Sequence, residues 1–533
     1  MQITTPRPRK KFSVGSAATL LVSVTLLGQL LGFLRNRLVS TNFTVKDPGA
    51  SDAFFVAFQI PDFFFYIIAA GALGVAFIPF LSDRLAAGDK KGMWRLTSNL
   101  MNTLIIAMTA VSALLFVFAP QLVRLLAPDM AAMHPQHYEQ AVTIMRIIAF
   151  NPLFFTLSGV IMSVQQTFGR FFFYALAPIA YNLAIIASLY IFKDSIGIVG
   201  LGYGALIGAV LQLGVAMIGM RGLGFRWTPK IEWGDMNFRA VLRQLPPRSI
   251  DQGIDQVNSI VETNRAQALT IGSVSHYNFA LTMQNVPILL IGNSIATAAF
   301  PKLTSRLASN RSDLFRKDFL TMLRITIWLA APTVVAIYFC RGYLARLIAG
   351  DAAPEVALIL GFLTVSIFFR TIYALISRWF YAQKDTKTPL YVSLVAIGLN
   401  IVLAFALARP DAYNIAGLAM AQSIVAAVEV SVLVAIMVYR DRKLLDPVFI
   451  GALMKIISVT GFSILATYFM VYLLPLGAAD RGIVTLGTKL AAITGVTFLV
   501  HASVSWIFGL RELEPVLNRL KRMIFRNVPS ARP

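Results

Sequence analysis

Apolar runs of about 20 residues recur along the whole 533-residue chain, and they constrain its fold more than any other feature. A helix of this length crosses a hydrocarbon core about 30 Å thick. It also satisfies its backbone hydrogen bonds within its own segment, as the interior of a bilayer requires. The sequence therefore predicts an all-α integral membrane protein.

The composition excludes several other classes of protein. Hydrophobic residues make up 57% of the chain and charged residues 14%, whereas a soluble domain of this size needs more polar surface. The net charge of +22 does not indicate nucleic acid binding, because the basic residues lie in short clusters between the apolar runs. Cys340 is the single cysteine, so no disulfide framework or thiolate metal site is expected.

The apolar runs predict fourteen membrane spans. The first span continues past Arg35 without a small-residue cleavage site, so we expect it to remain in the protein and not to act as a signal peptide. Basic clusters occupy every second loop, which predicts that both termini are cytoplasmic. The predicted spans are 14–41, 52–82, 98–123, 139–167, 171–192, 199–220, 238–266, 275–303, 319–345, 355–380, 388–408, 412–438, 447–474 and 484–509.

The sequence contains a weak internal repeat with an offset of about 220 residues, or six spans. "VAFIPFLSDRLA" aligns with "AAFPKLTSRLA", which pairs Arg84 with Arg306, and a second alignment pairs Asn182 with Asn400. Two six-span lobes of this kind would enclose a substrate path between them. The predicted organisation is a cytoplasmic tail (1–13), an N-lobe (14–220), a C-lobe (221–440), two additional spans (441–510) and a basic amphipathic tail on the inner leaflet (511–533).

The seventh span carries polar residues at steps of 3, 4, 3, 4 and 3, which would place all of them on one face of a helix. An ionised side chain facing lipid costs about 2.5–3.5 kcal/mol at mid-membrane, so this face must meet protein or water. Two interpretations remain open: an internal ladder of ion pairs, or a hydrated wall that faces the substrate. Pro246 and Pro247 are expected to break or bend the cytoplasmic end of the span. The six candidates are Arg248, Asp251, Asp255, Asn258, Glu262 and Arg265.

The first two spans supply further candidates. Arg35 either snorkels to the interface or faces a cavity and binds anionic phosphate. Asp52 either caps the second helix or lines the same cavity, and Asp62 lies well inside that span. Prolines and glycines predict that this span is bent or broken.

Two single charges in other spans, Arg146 and Arg370, are secondary candidates together with Asp62, although a structural pair or an interface position also explains them. His134 and His137 are expected at the surface. No enzyme motif of the Walker, HExxH, CxxC or GxSxG type is present, so we expect a transporter without a cofactor or a bound metal, and any coupling ion is unidentified.

Several motifs resemble those of the MurJ (MviN) lipid II flippases, a family of the multidrug/oligosaccharidyl-lipid/polysaccharide (MOP) exporter superfamily. These motifs are "LLGFLRNRLVSTNF", "SDAFFVAFQIPDFFF", "GALGVAFIPFLSDRL", "FYAQKDTKTPLYVSLVAIGLN" and "NIAGLAMAQSIVAAVEVSVL". The resemblance implies two six-helix lobes, two C-terminal helices that shape a lipid groove, and a place in the bacterial inner membrane. It implies that the substrate is the polyprenyl-pyrophosphate-linked disaccharide-pentapeptide precursor of peptidoglycan, and that Arg35 and Asp52 match family residues.

The chain departs from the family at three positions. Charged family residues fall here near Phe65 or Tyr66, at Ala70, and near Leu281 or Thr282. We expect Arg248 and Arg265 to supply the missing positive charge.

Three functions are compatible with the sequence. The first is a flippase for lipid II, with cell-wall synthesis or division proteins as partners. The second is a MOP-fold exporter of small cationic compounds, or a flippase for another polyprenyl-linked glycan. The third is a non-transporting scaffold for cell-wall assembly.

Overall fold

The computed structural model describes residues 14–70, 77–350, 353–444, 446–478 and 480–514. The predicted tail 1–13 and most of the predicted tail 511–533 lie outside this part of the chain. The described residues form helices, and the chain divides into two compact units, Met1–Asn264 and Arg265–Pro533. The five-part organisation predicted above is a finer division, and it stays a prediction.

Ten α-helices begin in the first unit, and the tenth continues past the division between the units. They are α1 (Val14–Val39), α2 (Pro48–Phe65), α3 (Ile78–Ala86), α4 (Lys90–Leu126), α5 (Pro128–Met133), α6 (Pro135–Ile148), α7 (Asn151–Thr167), α8 (Phe171–Phe192), α9 (Val199–Gly219) and α10 (Met236–Gln267). In this unit α1 and α9 pack against α8, α2 packs against α6, and α4 packs against α6 and α7.

The second unit contains eight further α-helices among its described residues. They are α11 (Ser273–Pro287), α12 (Ser294–Ala308), α13 (Ser312–Ala349), α14 (Ala353–Ala382), α15 (Lys387–Leu407), α16 (Ala416–Arg440), α17 (Pro447–Leu473) and α18 (Ile483–Ile507). Here α14 packs against α11, α13 and α16, and the C-terminal pair α17 and α18 packs against α13.

Helices occupy the positions of all fourteen predicted spans. Twelve of these segments are long and apolar enough to cross a membrane, which confirms the predicted class of fold. The first span, α1, and the seventh span, α10, are not among the twelve, and α10 carries the charged stripe. The count of fourteen therefore stays a prediction.

Three predicted spans are not single α-helices. The fourth is divided between α6 and α7 by a turn, with Pro152 in the first turn of α7, where the missing N–H of proline costs nothing. The second widens into a π-helical turn at Tyr66–Ala70 after Pro61, and the eighth does the same at Ile288–Asn293 after Pro287. The described part of the second span thus departs from a regular α-helix at Tyr66–Ala70, and the bend or break stays a prediction.

The expected break at Pro246 and Pro247 is absent, because α10 is continuous from Met236 to Gln267. Each proline removes one backbone donor, and the remaining bonds of a long helix can hold it together across that gap. Of the two predicted alternatives, the break is therefore wrong, and the bend stays a prediction.

Buried polar contacts join the two C-terminal helices to each other and to α13. Ser463 Oγ lies 2.9 Å from His501 Nδ1, and the hydroxyls of Thr467 and Thr497 are 2.8 Å apart. The indole N–H of Trp328 donates to Ser505 Oγ at 2.8 Å. Lipid tails are as apolar as leucine, so such hydrogen bonds and close packing hold membrane helices together in place of the hydrophobic effect.

The repeat pair Arg84 and Arg306 has the same local setting in both units. Each arginine lies in the last turn of the short helix that follows the π-helical turn. Arg84 pairs with Asp89 at 3.2 Å, and Arg306 pairs with Asp318 at 2.9 Å. This agreement supports the alignment of the two segments.

Candidate functional site

Arg35 of α1 lies at the centre of a polar cluster in the first unit. Its Nη1 donates to Asn182 Oδ1 of α8 at 3.3 Å, while Nε and Nη2 donate to Asn36 Oδ1 at 3.3 and 3.2 Å. A guanidinium has five N–H groups, so these bonds orient it and leave two donors for a ligand. An arginine held in this way suits an anionic phosphate, which accepts two parallel hydrogen bonds.

Asp62 of α2 and the phenol of Tyr181 of α8 lie within electrostatic range of Arg35. Among the described residues no ion pair joins Asp62 to Arg35, so the arginine is not neutralised by direct contact. Tyr181 packs edge-on against Phe155, with ring centroids 5.1 Å apart. The structure thus brings together Arg35 and Asp62, one principal and one secondary candidate, in one cluster.

Asp52 is buried in α2, with 4% of its surface exposed, but it does not cap the helix. The cap is Asp47, whose side chain accepts a hydrogen bond from the backbone N–H of Ala50 at 3.3 Å. The capping alternative for Asp52 is therefore wrong, because α2 begins at Pro48, four residues earlier than the predicted span.

His137 is not the surface residue that the sequence predicts. Its Nε2 lies 2.9 Å from Asp47 Oδ1, and only 15% of its side chain is exposed. The imidazole packs so closely on Gly49 that a Cβ there would overlap it, so a larger residue at this position would require the ring to move. His137 thus fixes the start of α2 against α6. The expectation of an exposed histidine failed because the partner is distant in the sequence.

The members of the stripe on α10 differ in burial. Asp255 is exposed and Glu262 is buried, with Asn258 Nδ2 donating to Glu262 Oε1 at 3.0 Å. Ser259 Oγ donates to Gln59 Oε1 of α2 at 3.2 Å, and Asn264 Nδ2 donates to the carbonyl of Leu126 at 2.8 Å. The side chains of Arg248 and Asp251 lie outside the described part of the structure, and their roles stay predictions.

Arg265 lies against the end of another helix. Its Nη2 donates to the carbonyl oxygen of Ala408 at 2.9 Å, and its guanidinium lies 4.8 Å from the ring centroid of Phe405. A cation at the C-terminus of α15 satisfies a carbonyl that has no partner within its helix and interacts favourably with the helix dipole. This geometry describes a structural contact.

The remaining secondary candidates differ in position. Arg146 of α6 is exposed, donates to the carbonyl of Phe116 at 3.4 Å and lies 5.9 Å from that residue's ring centroid. Arg370 of α14 is half-buried, and its Nε has no hydrogen-bond partner among the described residues. The contacts of Arg146 are those of an interface residue, which is the alternative that the sequence left open.

Aromatic and polar groups occupy the family's charged positions. Phe65 packs on Phe155 with ring centroids 5.7 Å apart, and the Thr282 hydroxyl donates to the carbonyl of Asn278 at 2.9 Å. The side chain of Ala70 lies outside the described part.

An apolar groove of about 830 Å³ lies in the second unit. Helices α13, α14 and α16 form most of its lining, with Phe339, Phe362 and Met420 among the larger side chains, and α17 contributes Ile464. In a bilayer, such a groove accepts hydrocarbon. α17 is the only C-terminal helix that lines it among the described residues.

The sequence alone does not indicate that Asn182 and Tyr181 belong to the Arg35 cluster. Asn182 did appear in the internal repeat, as the partner of Asn400. An asparagine inside an apolar span was the signal that could have indicated its role, because membrane-embedded amides need a hydrogen-bond partner. Nothing in the sequence shows that α1 and α8 are neighbours.

Comparison with solved structures identifies the class of fold. The chain superimposes with a TM-score of 0.75 on a lipid II flippase MurJ in an inward closed conformation, at 22% identity over 92% of this chain and 98% of that one. It superimposes with a TM-score of 0.64 on an inward-facing multidrug resistance MATE transporter of the MOP superfamily, at 16% identity over 83% and 98% of the two chains. The chain therefore has the fold that these two solved structures share.

The family model "Lipid II flippase MurJ" matches residues 47–486, and the chain belongs to this family. A probable lipid II flippase MurJ from Rhizobium meliloti is 24% identical over 527 residues, covering 96% of each chain. A lipid II flippase MurJ from Burkholderia cenocepacia is 28% identical over 392 residues, covering 71% of this chain and 74% of its own. These matches agree with the resemblance drawn from the sequence motifs.

Proposed function

We propose that this member of the lipid II flippase family moves lipid II, the undecaprenyl-pyrophosphate-linked disaccharide-pentapeptide, from the inner to the outer leaflet by alternating access. The observation that supports this site is the Arg35 cluster. Two asparagines orient an arginine in the predicted first span, and two of its N–H groups remain for a ligand. An intramembrane cation of this kind marks a substrate pathway by default.

In this proposal the pyrophosphate binds Arg35. Asp62 lies close enough to compete electrostatically for the same cation, which limits how tightly the anion is held. A transporter must release its substrate as well as bind it. An arginine whose attraction for phosphate is reduced by a nearby carboxylate therefore suits transport better than an arginine without one. Asp52 and the stripe on α10 apart from Arg265, with Arg248 and Asp251 among its members, are proposed to contact the remainder of the headgroup.

The polyprenyl tail needs an apolar surface throughout the movement. The groove lined by α13, α14, α16 and α17 offers one, and its lining is almost entirely apolar. We propose that the tail lies there while the headgroup moves through a polar path. This arrangement keeps hydrocarbon away from water and sugars away from lipid.

The orientation and the energetics belong to the same proposal. The alternation of basic loops supports cytoplasmic positions for both termini in the bacterial inner membrane. Transport proceeds without a cofactor, and an unidentified ion gradient or the membrane potential supplies the energy. Cell-wall synthesis or division proteins are proposed as partners because they consume the translocated precursor.

Complementation tests the function. The chain is expressed in bacteria depleted of their own lipid II flippase, and the lipid II reaching the outer leaflet is measured at matched membrane levels of protein. We expect the native chain to restore translocation and Arg35→Ala to abolish it. Arg146→Ala is the matched control and should retain translocation. This arginine also lies in a predicted span, but it is exposed and contacts Phe116 of α4. Failure of the well-inserted native chain would refute the substrate assignment.

A further inference from the structure

A charged pocket of about 880 Å³ lies in the second unit, apart from the Arg35 cluster and the apolar groove. Its walls come from the first three turns of α13, the first two turns of α17, and the chain that follows α18, with its 3₁₀ turn Arg511–Leu513. The basic loops predict that these ends face the cytoplasm. Six lysine or arginine residues and three acidic residues line it, so the pocket has a net positive charge.

The acidic residues are already engaged by other groups. Glu512 pairs with Arg324 at 3.1 Å, and Asp446 caps α17 by accepting from the N–H of Phe449 at 2.6 Å. Asp313 pairs with Arg311, which lies outside the pocket. Two of the three carboxylates are thus paired with arginines and the third accepts from a backbone N–H, and none forms an ion pair with Lys317, Lys443 or Arg511 among the described residues.

Four of the six cations that line the pocket form no ion pair within the described part of the chain. One of them, Lys455, donates to the carbonyl of Phe508 at 2.9 Å. The other three, Lys317, Lys443 and Arg511, have exposed side chains. The lining also includes the apolar side chains of Leu320 and Phe449. An anion with an attached hydrocarbon portion would match both features.

The surroundings indicate that the occupant is a lipid. Exposed apolar side chains lie beside the pocket, with Val448 exposed to 69%, Trp506 to 72% and Ile507 to 71%. In a bilayer these groups meet acyl chains, and the tryptophan is of the type that anchors helices at the interface. The chain's own C-terminal segment is an unsuitable occupant, because its sequence adds Arg519, Lys521 and Arg522 and would be repelled.

We propose that this pocket binds the headgroup of an anionic membrane phospholipid, with its phosphate held by Lys317, Lys443 and Arg511. Basic pockets between membrane helices on the cytoplasmic side are suited to such headgroups. The bound lipid ties the C-terminal helix pair to the inner leaflet. This proposal depends on the predicted membrane orientation and not on the substrate that is transported.

Native mass spectrometry of the purified full-length chain tests the proposal without lipid II. Phosphatidylglycerol and phosphatidylcholine with identical acyl chains are the probes. We expect phosphatidylglycerol to bind at least about tenfold more tightly than phosphatidylcholine, because three cations attract its net negative charge. The combined variant Lys317→Gln, Lys443→Gln, Arg511→Gln should lose this preference. Equal binding of both lipids by the native chain would overturn the proposal.

Two control variants separate the pocket from general charge effects. Lys90→Gln, Lys91→Gln, Arg442→Gln removes three exposed cations from the start of α4 and from the loop after α16, which are predicted to lie on the same side of the membrane, and it should keep the preference. Arg519→Gln, Lys521→Gln, Arg522→Gln removes the same charge from the C-terminal segment and should also keep it. A loss in either control as large as in the pocket variant would refute the assignment to the pocket.

Two further measurements complete the test. Lys317→Gln alone, which removes no ion pair or side-chain hydrogen bond among the described residues, should weaken binding a few-fold, and it replaces the triple variant if that one unfolds. Inorganic phosphate at millimolar concentration should not displace the lipid, because it lacks the apolar portion. Complete displacement would identify a site for a soluble anion and overturn the lipid assignment.

Discussion

Arg35 of α1 and Asn182 of α8 meet inside the first unit, where the guanidinium donates to the amide oxygen at 3.3 Å. The two residues are 147 positions apart in the sequence. The bond points the arginine in a fixed direction and leaves its charge intact, because an amide oxygen is neutral. Asn182 is thus a positioning residue for the proposed phosphate contact.

A pair of substitutions at Asn182 separates orientation from charge. Asn182→Leu removes the acceptor and should lower lipid II translocation several-fold, since the guanidinium loses one of its anchors. Asn182→Asp keeps an acceptor but adds a negative charge beside Arg35, and it should lower translocation further because phosphate must compete with a carboxylate. Both are measured as outer-leaflet lipid II at equal membrane levels. Wild-type activity in Asn182→Asp would show that the charge of Arg35 is not used.

Arg265 should matter for stability and not for transport. Arg265→Ala leaves the carbonyl of Ala408 without its donor and removes the contact with Phe405, at a cost of about 1–2 kcal/mol. We expect a lower melting temperature in detergent and unchanged translocation per folded molecule. A loss of translocation at normal thermal stability would instead support the cavity position predicted from the sequence.

The contact between Trp328 and Ser505 offers a test of the packing of the C-terminal helix pair on α13. Ser505→Ala leaves the buried indole N–H without its acceptor and should destabilise the protein by about 1 kcal/mol. Ser503→Ala, on the exposed side of the same helix, is the matched control and should have almost no effect. Thermal unfolding followed by size-exclusion chromatography measures both. Equal melting temperatures would mean that the hydrogen bond contributes nothing measurable.

Asp385, in the loop before α15, predicts a pH dependence of stability. Burial alone raises the pKa of this carboxyl, but hydrogen bonds from the side chain and backbone of Thr388 and from Arg440 outweigh it and lower the pKa to about 2. Because the folded-state pKa lies below the unfolded value near 3.9, the stabilisation is complete above about pH 4 and is lost as the pH falls through 2. After allowance for solvent screening of the exposed Arg440, it amounts to about 1 kcal/mol.

The variant Asp385→Asn should therefore melt at a lower temperature than the native chain at pH 7, with the difference shrinking between pH 4 and pH 2. Asp411→Asn is the control, because that carboxylate is largely exposed and its pairing with Arg409 spans 3.6 Å. A difference between Asp385→Asn and the native chain that stays constant down to pH 2 would contradict the assignment.

The same residues explain one of the motifs that carry the family resemblance. In "FYAQKDTKTP", Asp385 Oδ1 accepts from the backbone N–H groups of Lys387 and Thr388 at 3.1 and 3.0 Å, and Arg440 binds Oδ2 at 2.6 Å. The motif therefore begins α15 and joins it to the end of α16. These contacts give the motif a structural role.

Much of the fold could be predicted because the bilayer restricts the chain so strongly. Helix positions follow from apolar length alone, and the interruptions of the second span follow from proline and glycine chemistry. The sequence did not predict correctly where a helix is interrupted, because an interruption at a proline depends on the contacts that the helix makes with its neighbours. The fourth span is divided before Pro152, whereas α10 is continuous through Pro246 and Pro247, although both places contain proline.

The site was predicted less completely, because a charged residue in a span indicates only that it needs a polar environment. Arg35, Arg146 and Arg265 looked alike in the sequence. In the structure the first is held by two asparagines, the second lies on an exposed face and the third binds the end of α15. Which partner a membrane-embedded charge finds depends on which helices are neighbours.

The sequence by itself determined that this chain is a multi-span helical membrane protein of the lipid II flippase family. Hydropathy and motifs are properties of short stretches of sequence, so they do not depend on how the helices pack. Only the tertiary structure decided that Asn182 orients Arg35, that His137 fixes the start of α2, and that Lys317, Lys443 and Arg511 share a pocket. Each of these relationships joins residues that are far apart in the sequence. Their distances are set by helix packing, which no local pattern of residues specifies.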